Sequence, residues 1–173
     1  MQKIDYKKIL MKKLIIYIPI LLFIVSCADE IPEIGERANR KEQMVGTWQL
    51  EKFVQTDLKA KAKAYPAFAT EKDLTNIFEN NPYTDFSISF NSDGTFTSVT
   101  GNSFIDMIEQ GNWSFDSDEV PSKILLSNGS QNQTIVIGSF ANIIYDKIEF
   151  TIVKVDANTK KETISYTYYL SKK

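Results

Sequence analysis

From Val45 onward, apolar and polar side chains alternate along most of the chain. Trp48, Leu50 and Val54 fall on one face of a first strand, and Phe86, Ile88 and Phe90 alternate with Ser87 and Ser89. A repeat of two is the mark of a strand with one buried and one wet face. The same pattern predicts a strand opening at Phe96 and others over residues 111–116, 123–127, 133–139, 147–156 and 162–171. Polar turns such as Asn128-Gly129 and residues 156–160 separate them. Eight strands in a meander, alternating throughout, favour an all-β antiparallel barrel over a parallel sheet.

The turn after Phe90 can be argued in detail. Asn91-Ser92-Asp93-Gly94-Thr95 separates it from Phe96. A two-residue Asp-Gly loop would put the two phenylalanines on opposite faces. A three-residue loop, with Gly94 left-handed at a bulge, pairs Phe90 with Phe96 and keeps both inside. Burial prefers the second arrangement. The alternation breaks only over residues 58–81, a helical insertion between the first and second strands. There Thr70 and Asp73 suggest a loose cap, Leu74, Ile77 and Phe78 share a helical face, and Pro82 stops the run. Phe104, Ile105, Met107 and Ile108 suggest a second short helical turn.

The amino-terminal segment follows a different rule. Lys7, Lys8, Lys12 and Lys13 precede an uncharged stretch over residues 14–25. Twelve residues are too few to span a bilayer but suit the apolar region of a secretory signal. Ile24-Val25-Ser26-Cys27 resembles a lipobox. That resemblance implies cleavage before Cys27 and lipid attachment to it, with residues 1–26 as signal peptide. Residues 27–43 are polar, lack aromatics and include Pro32 and Gly35, and so read as a flexible tether reaching up to ~50 Å. Residues 44–173 form the domain. The expected location is the cell envelope, on the outer membrane. Asp29 and Glu30 resemble an acidic surface-export signal, against the plainer reading of a solvated linker.

Composition narrows the chemistry. Five of the 20 basic and one of the 22 acidic residues lie in 1–26, leaving 15 against 21 and a net charge of −6. An acidic chain without a basic cluster makes a poor nucleic-acid ligand, and its membrane affinity must come from the lipid. Cys27 is the only cysteine, so no intramolecular disulfide can form. The chain has no histidine, which removes the usual general base and the commonest ligand of zinc, copper and iron. The expectation is a non-enzymatic protein without a cofactor. Asp116-Ser117-Asp118-Glu119 opens like a calcium loop, but Val120 and Pro121 stand where further oxygen ligands are needed, so a solvated turn is preferred.

Gly46-Thr47-Trp48, the Phe90–Phe96 turn and Gly111-Asn112-Trp113-Ser114-Phe115 occur in order after the lipobox. Together they resemble the lipocalin-like domain of small Bacteroidetes lipoproteins. The resemblance implies an eight-stranded antiparallel up-and-down barrel and, in true lipocalins, a cup for a small apolar molecule. No carboxy-terminal helix follows the last strand, a departure from that pattern. Trp48 and Trp113 are expected to be structural, at the barrel base, as is Gly94 in its turn. Phe90, Phe96, Ser98, Phe150, Tyr166 and Tyr168 are the candidate ligand-lining residues. A barrel of this size has room either for its own side chains or for one small ligand. The leading expectation is therefore a lipid-anchored binder of a small apolar ligand, with residues 58–81 closing one end; the alternative is a filled barrel that engages an envelope protein.

Overall fold

The computed structural model describes residues 38–77, 83–101, 103 and 105–173. Cys27, the signal segment, most of the tether, Phe78, Pro82 and Phe104 lie outside the described residues. Ala38–Lys173 is a compact unit. Its strands are β1 (Gly46–Asp57), β2 (Glu71–Asp73), β3 (Ser87–Phe90), β4 (Thr95–Val99), β5 (Gln110–Phe115), β6 (Lys123–Ser127), β7 (Asn132–Ile137), β8 (Lys147–Val155) and β9 (Glu162–Lys172). Neighbours from β3 to β9 pair antiparallel in chain order, β3 pairs with β1, and β1 pairs with β9. The result is a closed eight-stranded up-and-down barrel, with the short β2 added beside the far half of β1. Closure removes the exposed edges that an open sheet would leave.

The turn register is the one expected. Phe90 stands opposite Phe96, and Gly94 has φ +88°. The Asp93 carboxylate accepts from the Thr95 amide at 2.8 Å and the Thr95 hydroxyl at 2.7 Å, fixing the loop from within.

β1 departs from simple alternation. Leu50 faces Leu170, but the next paired residue is Lys52, opposite Tyr169, so Glu51 is an extra residue at a bulge. A bulge reverses which parity points inward. Trp48 and Leu50 face the interior before it, and Phe53 after it. Val54, expected beside Trp48, is instead on the opposite face, where it is nonetheless buried.

The insertion is helical only in part. Helices α2 (Leu58–Ala62) and α3 (Ala67–Thr70) occupy its first half, and the Asp57 carboxylate caps α2 by accepting from the Lys59 and Ala60 amides. α2 packs against β9 and β1, on the wall of the barrel. The expected Thr70–Asp73 cap does not form. Residues 71–73 are the strand β2, and Asp73 accepts from the amide and hydroxyl of Thr75 instead. Backbone pairing with Val54, Gln55 and Thr56 wins over a marginal helix. Leu74 and Tyr83 then enter the core. Residues 105–108 form no helix either, yet Ile105, Met107 and Ile108 are buried.

The last residues of the expected tether are structured too. Helix α1 (Arg40–Met44) is capped by Asn39, whose side chain accepts from the Lys41 and Glu42 amides. Met44 is fully buried and its carbonyl accepts from the Trp48 indole at 2.8 Å.

Candidate functional site

The strand directions put two different ends on the barrel. α1, the β3–β4 turn, the β5–β6 loop and the carboxy terminus gather at one end, called here the base. The insertion, the β4–β5 loop and the β6–β7 and β8–β9 turns lie towards the other, the mouth.

The base is plugged. Trp48 is fully buried and Trp113 nearly so; the Trp113 indole donates to the Asn91 carbonyl at 3.2 Å. A buried indole N–H that finds a backbone partner has an internal structural use. The Lys172 ammonium sits over the Trp48 ring and donates to the Gln43 carbonyl at 3.0 Å, tying the carboxy terminus to α1.

The candidate lining residues meet in the interior, where side chains pack on one another. Phe90 contacts Trp113, Phe150 and Phe96, with ring centroids 5.0, 6.0 and 6.5 Å apart. Tyr168 lies 4.5 Å from Phe53 and 4.8 Å from Phe86, and Phe53 stacks on Tyr83 at 4.6 Å and on Tyr166 at 5.8 Å. Phe90, Phe96, Phe150 and Tyr168 are buried, and Tyr166 is half-buried. Phe53 and Tyr83 were missed by sequence reasoning, whereas Phe86 was placed on the apolar face with Ile88 and Phe90. The bulge hides Phe53, and Tyr83 lies where no alternation signals its direction.

Ser98, the only hydroxyl-bearing aliphatic candidate in that set, has a structural task. It is buried, and its hydroxyl donates to the Ile108 carbonyl at 3.0 Å. Gln133 holds the same loop from the other side. Its Nε2 donates to the Asp106 carbonyl at 3.1 Å and its Oε1 accepts from the Ile108 amide at 3.2 Å. The loop that carries Met107 and Ile108 into the core is thus strapped to both β4 and β7.

One polar atom inside stands apart. Among the described residues the Tyr168 hydroxyl is buried without a hydrogen bond of ordinary geometry. Burial pushes its phenol well above the ordinary tyrosine value, and a weak polar interaction with the Ser103 side chain opposes the shift only in part. Elsewhere the carboxylates serve loops. Asp116 accepts from the Ser122 hydroxyl at 2.6 Å and from the Ser122 and Lys123 amides at 2.9 Å, which holds its carboxyl down at about 2. These bonds close the β5–β6 loop on itself. Among the described residues no group of three or more metal-type side chains comes together.

Outside the wall the surface is indented. A groove of about 810 Å³ runs beside the β4–β5 strands, and depressions of about 370 and 420 Å³ adjoin it. Phe96 is the one candidate lining residue that touches the larger groove.

Fold and interior define the class: a closed antiparallel β-barrel with a plugged base and an aromatic core. Residues 25–171 match the domain of unknown function DUF5004, and the chain belongs to that family. No curated protein matches it.

Proposed function

We propose that this chain is a lipid-anchored, non-enzymatic module of the bacterial cell envelope, held at the outer membrane through Cys27. On this reading it is a lipocalin-like barrel whose cup is occupied by its own side chains, and it works through its outer surface on a partner at the envelope. The observation that carries the reading is the packed interior. Phe53, Phe90, Phe150 and Tyr168 are each essentially inaccessible and in ring contact. Rings packed in this way occupy the volume that a carried ligand would need.

A second reading keeps an apolar ligand inside, and the buried Tyr168 hydroxyl, without a hydrogen bond of ordinary geometry among the described residues, favours it. A ligand with one polar atom could satisfy that group. The test is a titration of the protein with a fluorescent fatty acid and with N-phenylnaphthylamine. The packed interior predicts no saturable binding, whereas saturable binding abolished by Tyr168→Trp would establish the cup. The anchor has its own test. Cys27→Ala is expected to abolish metabolic palmitate labelling, and labelling at the unsubstituted level would refute the lipid.

A further inference from the structure

The three surface depressions are continuous. The largest shares Asn112 with the second, and Met107, Ile108 and Gln131 with the third; the second and third share Asn132 and Gln133. Together they form one indented strip along the outer face of β4 to β7. Its lining has a consistent chemistry. Amides come from Gln110, Asn112, Asn128, Gln131 and Asn132, and hydroxyls from Thr95, Thr97, Ser114 and Thr134. In a chain that is 24% charged, the strip contains only the carboxylates of Asp106 and Glu109 and no lysine or arginine.

The amides are not all committed to the fold. Asn128 caps its own turn by accepting from the Ser130 and Gln131 amides. Gln110, Asn112 and Asn132, by contrast, have no side-chain hydrogen-bond partner among the described residues. Each offers two donors and an acceptor to whatever occupies the strip. The floor is rigid: Ser98 and Gln133 strap the loop carrying the buried Met107 and Ile108, and on β6 the exposed Leu125 presents apolar surface between Ser114 and Thr134. Gly111 lets β5 press against β6 at this point, since a Cβ there would lie 2.1 Å from the Ser127 carbonyl oxygen.

We infer that this strip binds a neutral oligosaccharide. Uncharged paired donors and acceptors match sugar hydroxyls, which both give and accept hydrogen bonds. The exposed Leu125 among them matches the C–H face of a pyranose ring. The absence of cationic side chains from the lining disfavours phosphorylated or uronic glycans, which need Lys or Arg. An elongated strip suits several linked sugars better than one compact metabolite. The inference rests on the proposal that the barrel works through its outer surface, and it names the class of partner.

Affinity electrophoresis of the full chain in a polyoxyethylene detergent tests it, with dextran, laminarin, mannan or glycogen cast into the gel and heparin as the anionic comparison. Expected is retardation by at least one neutral polysaccharide and none by heparin. Gln110→Ala with Asn112→Ala should weaken that retardation by about five-fold or more, the loss of one or two neutral hydrogen bonds. Lys59→Ala on α2 should leave it unchanged. No retardation by any neutral polysaccharide, retardation by heparin alone, or an unaffected double variant with unchanged circular dichroism would each overturn the assignment. A negative result here, beside a negative apolar-probe titration, would leave the filled-barrel reading standing with a different partner.

Discussion

Phe53 stands directly opposite Tyr168 across the β1–β9 ladder, with ring centroids 4.5 Å apart, because the ladder bulges at Glu51 and skips it. Were Glu51 paired in a regular ladder, Lys52 would point into the core and Phe53 outward. Deleting Glu51 leaves Leu50, Lys52 and Phe53 opposite their present partners, so the deletion is expected to cost no more than about 1 kcal/mol, whereas Phe53→Ala should cost about 3 kcal/mol or more, the scale of losing a buried aromatic side chain. Glu51→Ala should also cost under about 1 kcal/mol, because the bulge remains and only the exposed ion pair with Lys147 is lost. Urea unfolding measures all three, and a deletion as costly as Phe53→Ala would contradict the register.

Two glycines make opposite demands. Gly94 has room for a side chain, since a Cβ would meet nothing closer than the Lys41 ammonium at 3.8 Å, but its φ of +88° is hostile to branched residues. Gly111 has no room at all against the Ser127 carbonyl. Gly94→Val should cost roughly 1 kcal/mol or more while Gly94→Asn costs less, because Asn tolerates the left-handed region. At position 111 even alanine should open the β5–β6 pair, so Gly111→Ala is expected to be worse than Gly94→Ala. Thermal melts that rank them the other way would contradict the geometry.

These contrasts explain how much was legible in the chain. Residues 123–127 were bounded as β6 is, because both ends of a short apolar run abut turn residues. The Phe90–Phe96 register followed from burial alone. The Glu51 bulge did not, since an extra residue looks like ordinary alternation until the partner strand is known. Over residues 71–73 a helical spacing lost to pairing with β1, a contact about 17 residues away in the chain. The surface strip was invisible for a related reason: Gln110 and Asn112 on β5 and Asn132 on β7 read as solvated positions, and only the pairing of both strands with β6 assembles them.

Tyr168→Phe separates the two readings of the interior. The hydroxyl is buried without a hydrogen bond of ordinary geometry among the described residues, and a poorly satisfied buried hydroxyl costs about 1–3 kcal/mol. Removing it should leave stability unchanged or raise it by about 1 kcal/mol in urea unfolding. The folded-state pKa is raised by burial, so the neutral phenol is the stable form inside. Stability attributable to that group is complete below the ordinary tyrosine value near 10 and falls as pH rises beyond it. The Phe variant should therefore lose less stability than the parent above pH 10. A variant destabilised by more than 1 kcal/mol at neutral pH would instead point to a partner held by the hydroxyl.

Asp116 offers the acid counterpart. Its carboxylate accepts from the Ser122 hydroxyl and two backbone amides, and its pKa falls from 3.8 to about 2 as a result. A depressed folded-state pKa means that the ionised form is preferred in the folded loop. The stabilisation is present above the unfolded value near 4 and is lost as pH falls through about 2. Asparagine has the shape of the protonated acid, so Asp116→Asn should melt below the parent at pH 7 and approach it as the pH drops from 4 to 2. The side chain is fully exposed, so the effect is local to the β5–β6 loop and should be small compared with that of Phe53→Ala. Melting temperatures across pH 7 to 2 give the answer. A gap between parent and variant that stays constant over that range would mean that the three bonds to Asp116 do not depend on its charge.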